Sequence, residues 1–455
     1  MKNTEEKSSS NRIKNYKKNI FSIIEDQTEF SIFINDLLKS IFSKTETLES
    51  ENQQEDNDEQ GSSEQNDTEE EQEKIINSVL SGNHTLAIMP TGAGKSLCYQ
   101  IPAIISSKKT IVISPLISLM DDQVSALKEC GVEAAKIHSD MTYDERSASW
   151  NNFKNGKEKI IYLSPEKIMS EDFLNQLKNL DVGLFVIDEI HCVSKWGHNF
   201  RPDYNQLSKL KSLFPNSNII GFTATADQTT RLDILEKIFN KNVNVFVSSL
   251  DRPNLSLSIT QKTNWKSQLL GYLRDRKSQS GIIYCLSKKK TEEVTSLLND
   301  KGFNASTYHA GLDGQVRKNV QDTFMTEQAH IVVATIAFGM GIDKPDIRFV
   351  IHLNLPGSVE AYFQEIGRAG RDGNASDTLL IYGLDDLVVR RRMIEENSSE
   401  DKFKFHENKR LDYLLSYCET PECRRKVLLS YFDEESENCN NCDNCSIFSI
   451  FKKNF

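Results

Sequence analysis

From residue 75 onward, short apolar runs alternate with stretches of helical character, and the alternation starts again half-way along the chain. The first series places apolar runs at 85–89, 110–114, 160–163, 184–188, 218–222 and 243–247. A second follows Asp251-Arg-Pro-Asn254, at 281–285, 305–308, 330–334, 347–352 and 378–382. Runs this apolar read as strands buried on both faces, and helices between them make the crossovers that a parallel sheet requires. The pattern predicts an α/β fold with two parallel-sheet domains, at 74–250 and 251–390. A helical and then cysteine-rich segment, 391–446, and a short tail, 447–455, follow.

Ahead of this series lie an extension, 1–43, Lys/Asn-rich and then amphipathic, with one or two expected helices, and an acidic segment, 44–73. Residues 45–73 hold thirteen Asp or Glu and no Lys or Arg. So polar a stretch cannot bury enough apolar surface to order itself, so a disordered linker or insertion is expected. The sharper alternative is an inhibitory segment that mimics nucleic acid. Without it the net charge of -11 becomes +2. The folded part is then near neutral, and any basic groove must be local. No apolar run approaches the ~20 residues of a membrane span. Glu25, Asp26, Glu29, Asp36 and Lys39 interrupt the apolar stretch near the N-terminus, which argues against a signal peptide. The expectation is a soluble chain with no membrane partner, nuclear if its source is eukaryotic and cytoplasmic otherwise.

The first apolar run leads into Met89-Pro-Thr-Gly-Ala-Gly-Lys-Ser96 and then an apolar helical stretch. A strand, a glycine-bearing turn and a helix form a cradle for phosphates. Thr91, Gly92, Ala93 and Gly94 bring backbone N–H groups to phosphate oxygens, Lys95 reaches the terminal phosphates, and Ser96 is placed to ligate magnesium. Met89 stands where the strict pattern has glycine. Ninety residues on, a strand ends in Asp188 and Glu189: a second magnesium anchor and a base for the attacking water. The same segment continues as His191-Cys-Val-Ser-Lys-Trp-Gly-His-Asn-Phe-Arg201. Trp196, Phe200 and Arg201 fit no helix or strand period and suit base stacking and strand contact, worth roughly 1–3 kcal/mol per stacked base. The alternative has these aromatics tucked under their own loop. His191 and His198 are candidates to couple nucleotide state to this loop.

In the second domain, Gln364-Glu-Ile-Gly-Arg-Ala-Gly-Arg-Asp372 carries Arg368 and Arg371, which would share one face if helical. An arginine presented across a cleft to a γ-phosphate is worth roughly 10³–10⁵ in rate in other phosphoryl-transfer systems. Gln364 is counted with the nucleotide contacts, as is Asp343, at the end of a glycine-rich turn. Cys423, Cys439, Cys442 and Cys445 have the spacing of a tetrahedral zinc site, with disulfides as the alternative. Cys98, Cys130, Cys192, Cys285 and Cys418 read as buried thiols.

Together these segments resemble the RecQ family of superfamily 2 DNA helicases. The likeness runs from about Gln72 to Cys445 and includes 89–100, 114–123, 188–204, Thr223-Ala-Thr-Ala226, Tyr308-His-Ala-Gly-Leu312, 333–352, 364–373 and the zinc segment. It implies two RecA-like domains and a zinc-binding subdomain. It also implies 3′ to 5′ translocation on single-stranded DNA driven by ATP with Mg2+, and unwinding of forked DNA in repair and recombination. By this likeness Lys95, Ser96, Asp188, Glu189 and Arg371, helped by Arg368, form the ATPase site, while Trp196, Phe200 and Arg201 couple DNA to it. Three departures stand out. Ile190 replaces the usual alanine. Gln72 fits the adenine-recognition glutamine, but Thr68 and Glu69 stand where its aromatic and arginine companions belong, so weakened adenine binding or another supplier of those contacts is expected. The winged-helix and C-terminal helical domains of many members have no counterpart, so a short form with weaker unwinding is expected. The main alternative is a DNA-stimulated ATPase that translocates or anneals strands with little unwinding; a non-hydrolysing scaffold and an RNA helicase fit the motifs less well.

Overall fold

The computed structural model describes residues 61–194, 201–339, 342, 344–397 and 401–446. The first lobe is a seven-stranded sheet of β1 (Thr85–Ile88), β2 (Lys109–Ile113), β3 (Ala134–Ile137), β4 (Ile160–Leu163), β5 (Val182–Ile187), β6 (Asn218–Thr223) and β7 (Asn244–Val247), in the order β3-β4-β2-β5-β6-β1-β7. The second is a six-stranded sheet of β8 (Leu255–Gln261), β9 (Ser280–Tyr284), β10 (Asn304–Tyr308), β11 (His330–Ala334), β12 (Ile347–His352) and β13 (Ser376–Tyr382), in the order β10-β11-β9-β12-β13-β8. All ladders within both sheets are parallel, as the continuous apolar runs require.

Successive side chains of a strand point to opposite faces, so each run feeds two cores. Leu86, Ile88, Phe185 and Ile187 enter one core of the first lobe, while Ala87, Met89, Leu184 and Val186 enter the other. In the second lobe Ile282 and Tyr284 face one core, Ile283 and Cys285 the other. Gly281 permits close packing here, because a Cβ there would lie 2.0 Å from the Phe349 ring.

Two strands escaped the sequence reading. β3 carries Lys136 and two alanines at a sheet edge, and β8 alternates Leu, Ser, Leu, Ser, Ile, Thr, with only one of its faces buried. Neither is a continuous apolar run.

Over 61–73 the acidic segment differs from its expected disorder, because a helix spans Gly61–Leu80, whereas 44–60 and the extension 1–43 lie outside the described residues. Its apolar end, Ile75, Ile76 and Val79, is buried against Cys98, Tyr99 and Ile101 of the helix Leu97–Ile105. Glu70 and Lys74 pair one turn apart at 2.8 Å.

The helices Leu384–Asn397, Asp401–Glu419 and Arg424–Ser430 and the cysteine segment do not form a detached module. Leu411, Leu414, Tyr417, Leu428, Leu429 and Phe432 share one core with Leu257, Tyr284 and Val350 of the second sheet. Cys98, Cys192, Cys285 and Cys418 are buried as expected, but Cys130 is exposed, because it caps the end of the helix Ile117–Glu129. Among the described residues no helix is long and apolar enough to cross a membrane.

Candidate active site

β1 ends by handing its ladder to the turn: Met89 N donates to Thr223 O at 3.0 Å. Met89 is fully buried, so the non-glycine residue at this position serves as one more core side chain of the strand. Gly92 and Gly94 have φ of +92° and +67°, where an L side chain is strained. A Cβ on Gly94 would also meet Gln72 Nε2 at 2.6 Å. Gln72 is 2% exposed and donates to Ala93 O at 2.9 Å, so it braces the turn from below. Its Oε1 is buried with no hydrogen-bond partner among the described residues. Ser96 sits at the N-cap of the following helix but makes no side-chain capping bond, which leaves its hydroxyl uncommitted to the helix.

Lys95 Nζ donates to Met89 O at 3.4 Å. Burial holds its ammonium below the usual lysine range, opposed by the charges of Glu189 and Asp188. Asp188 follows β5, its N–H donating to Ile113 O at 2.9 Å and its carbonyl accepting from Tyr204 Oη at 3.0 Å. Burial, then the neighbouring Glu189 charge, pushes the Asp188 carboxyl up to about 7. Glu189 is in the left-handed region at φ 49°, with its N–H donating to Asp188 Oδ1 at 3.0 Å. Positive φ on a non-glycine residue beside two crowded acids is the kind of strain found at functional sites. The Asp188 and Glu189 carboxylates, whose charges act on Lys95, offer hard oxygens of the kind that a magnesium ion takes.

His191 corrects the sequence reading. Grouped there with the strand-binding loop, it is fully buried. Its Nδ1 lies 3.2 Å from Glu189 Oε2 and 2.9 Å from Thr223 Oγ1. Burial works against its charge, but Cys192 and Glu189 outweigh that and raise it to about 10. Thr223 Oγ1 in turn accepts from Thr225 N at 3.2 Å. The imidazole thus joins the acids to the Thr223-Ala-Thr-Ala226 turn and has no surface for a strand. Trp196, His198 and Phe200 lie outside the described residues, as does Asp343. Arg201 is half-buried, with Nη1 donating to Pro115 O at 2.9 Å.

From the second lobe, a turn reaches the phosphate loop. The helix Val359–Ile366, which carries half-buried Gln364, stops before both arginines, so they do not share a helical face. Gly367 caps it, and Gly370 (φ +57°) turns the chain where a Cβ would meet Asn254 Nδ2 at 2.5 Å. Arg368 is buried and donates through Nη1 to Gly339 O, so it braces the glycine turn of its own lobe. Arg371 is placed otherwise: its Cγ is 3.6 Å from the Cβ position of Gly92. Sequence reasoning missed Arg252, seen only as part of a junction. Its Nη1 donates to Thr91 O at 3.3 Å and Gly367 O at 3.4 Å, and its Nη2 to Ala369 O at 3.0 Å and Gly370 O at 2.6 Å.

The four cysteine sulfurs of Cys423, Cys439, Cys442 and Cys445 lie within 4.8 Å of one another. A tetrahedron of about 2.3 Å zinc–sulfur bonds fits that spacing. Cys439 N and Asn441 N each donate to a cluster sulfur at 3.3 Å, as expected around thiolates.

Three family models match in order. Residues 69–233 match the DEAD/DEAH box helicase model, 261–373 the helicase conserved C-terminal domain, and 384–446 the RecQ zinc-binding model. The last begins with the helix Leu384–Asn397, seven residues before the expected boundary at 391. With the cysteine cluster it separates this chain from other two-lobed helicases. The chain belongs to the RecQ family. This RecQ-family chain is 43% identical over 370 residues to the ATP-dependent DNA helicase RecQ of Haemophilus influenzae, covering 81% of this chain and 60% of that one. It is 40% identical over 353 residues to the ATP-dependent DNA helicase RecQ of Bacillus subtilis, covering 77% and 60%. With the ATP-dependent helicase SGS1 of Saccharomyces cerevisiae it shares 41% over 382 residues, covering 81% and 26%. The chain thus spans about 60% of the length of its bacterial RecQ relatives. Solved structures share the fold: DEAD-box helicase Mss116 bound to ssRNA and UDP-BeF (TM-score 0.59, 17% identity, 80% of this chain and 86% of that one) and helicase MrfA bound to DNA (0.58, 18%, 84% and 55%).

Proposed function

We propose that this chain is an ATP-dependent DNA helicase that translocates 3′ to 5′ on single-stranded DNA and opens forked duplexes in repair or recombination. The supporting observation is the approach of Arg371, from the second lobe, to Gly92 of the phosphate loop. A nucleotide bound there meets both lobes, so its hydrolysis changes how they are held together. Lys95 and the loop N–H groups take the phosphates, and Gln72, with its unpaired buried oxygen, is the base contact. Magnesium held by Ser96 and Asp188 would neutralise charge on the phosphates. Glu189 orients the attacking water and takes its proton. Lys95 and Arg371 offset the negative charge that grows on the transferring phosphoryl group. His191 relays the state of Glu189 to the Thr223–Thr225 turn. Trp196, Phe200 and Arg201, with His198, grip the strand, and repeated closing and opening of the lobes advances it.

The test is ATP hydrolysis by the purified chain with and without single-stranded DNA, beside separation of a forked duplex. Stimulation with strand separation supports the helicase reading. Stimulation without separation reduces it to a translocase or annealing factor. Stimulation by RNA but not DNA, or no hydrolysis at all, overturns it.

A further inference from the structure

Arg252 stands at the joint between the lobes, and its environment is unusual for a guanidinium. Its Nε donates to Asn254 Oδ1 at 3.4 Å, while its Nη groups reach four main-chain carbonyls and, among the described residues, no carboxylate. Three belong to the turn between Gly367 and Gly370, one residue short of Arg371. The fourth is Thr91 of the phosphate loop, in the other lobe. A planar fork whose hydrogen bonds go to carbonyl oxygens makes no ion pair among the described residues; what it fixes is shape. Desolvation, and the nearby Arg371 charge, lower Arg252 to about 10, and the carbonyl oxygens accept hydrogen bonds from its N–H groups.

The joint itself is clamped on both sides of Arg252. Before it, Ser249 Oγ and Leu250 N donate to the Glu434 carboxylate at 2.6 and 2.8 Å. Next to it, Asp251 accepts from Arg425 Nη1 at 2.5 Å. After it, Leu255 O accepts from Arg425 Nη2 at 2.6 Å, and Pro253 O from Asn441 Nδ2 at 3.0 Å. Asn254 Nδ2 adds a bond to Gly370 O at 2.8 Å. All clamping side chains outside the joint come from the zinc subdomain. The guanidinium is therefore delivered from a fixed base, and its one bond across the cleft, to Thr91, exists only while the lobes are together.

We propose that Arg252 is a positioning residue for ATP hydrolysis: it shapes the 367–370 turn and latches it to the phosphate loop on closure, so that Arg371 points at the transferring phosphate. This rests on the assignment of Arg371 as the arginine that meets the γ-phosphate. A residue acting through Arg371 has three consequences. Its loss lowers kcat rather than raising KM for ATP, since ground-state phosphate contacts belong to the first lobe. Lysine cannot replace it, because one ammonium does not span four carbonyls. Its effect vanishes once Arg371 is gone.

The experiment measures kcat and KM for ATP, stimulated by an oligo(dT) strand, for the full chain and for R252A, R252K, R371A and R252A/R371A. Oligo(dT) binding and thermal unfolding midpoints are recorded beside them. The expected result for R252A and R252K is a kcat loss approaching about 10²-fold, the scale of a displaced reacting group. KM and oligo(dT) binding stay within about threefold, and the double variant is no slower than R371A. If R252A does not fold, R252K decides on the same criteria. Full kcat in R252K, losses that multiply in the double variant, or a rise in KM without loss of kcat each overturn the proposal. Undiminished kcat in R371A instead overturns the arginine assignment on which it rests.

Discussion

Glu189 adopts a left-handed backbone directly after a buried strand, and its N–H closes onto the side chain of Asp188. The pair is thereby held with different jobs within one residue of each other. In Glu189→Gln the shape survives but the proton acceptor is lost. Turnover should fall by about 10²–10⁴-fold, with ATP and single-strand binding retained; a variant that hydrolyses at the parental rate refutes the role. Gln72 is a second residue-scale case. If its unpaired Oε1 accepts a hydrogen bond from the adenine amino group, Gln72→Ala should raise KM for ATP about 3–10-fold, the worth of a single hydrogen bond, and should affect GTP less. Equal effects on both nucleotides would mean that Gln72 only braces the loop. Lys95, Asp188 and Glu189 could be singled out in the sequence by a glycine-bearing turn after one strand and paired acids after another, and the structure brings the three together. Arg252 could not be, because its partners are carbonyls, which leave no mark on residue identity. For His191, expected to couple nucleotide state to the loop, the sequence could not show that its ring turns inward to Glu189 and Thr223 rather than toward a strand.

Between elements, Gly221 and Ile190 fit together. A Cβ on Gly221 of β6 would lie 2.3 Å from Ile190 Cδ1, so the isoleucine occupies the space that the missing side chain leaves beside the sheet. Gly221→Ala should cost about 1–3 kcal/mol by overpacking, read from urea unfolding. Adding Ile190→Ala should return most of that loss; a double variant as unstable as G221A would show that the clash is not the cause. Most strands could be read because burial on both faces leaves a continuous apolar run. β3 and β8 sit at sheet edges and lack that signature. The helix Gly61–Leu80 was hidden by composition averaged over the acidic segment, which conceals the few apolar residues that pin its C-terminal end. The paired arginines suggested a continuing helix; three glycines within seven residues, Gly367, Gly370 and Gly373, end it instead.

At the scale of the molecule, the cysteine subdomain is continuous with the second lobe's core, and its segment pairs with the second sheet through a bridge between Leu257 and Cys442. Losing zinc should therefore disturb more than a surface loop. Cys442→Ser should reduce bound zinc from about one per chain to near none and lower the unfolding midpoint of the whole second lobe. The cluster spacing was readable from the sequence; its partnership with the joint was not, because Arg425, Glu434 and Asn441 meet residues some 170 to 190 positions away. If Cys442→Ser keeps its metal, the four-thiolate assignment fails.

The clamps on the joint have a mechanical consequence. Because the zinc subdomain is built into the second lobe, the two form one body, and the first lobe is the other. Among the described residues, the bonds that tie the lobes across the cleft include Arg252 to Thr91 O and Arg231 Nη2 to Phe432 O at 2.9 Å. Under the proposed mechanism, a stiffly held root with breakable bonds across the cleft would turn small differences in nucleotide contact into an angular stroke of one lobe against the other.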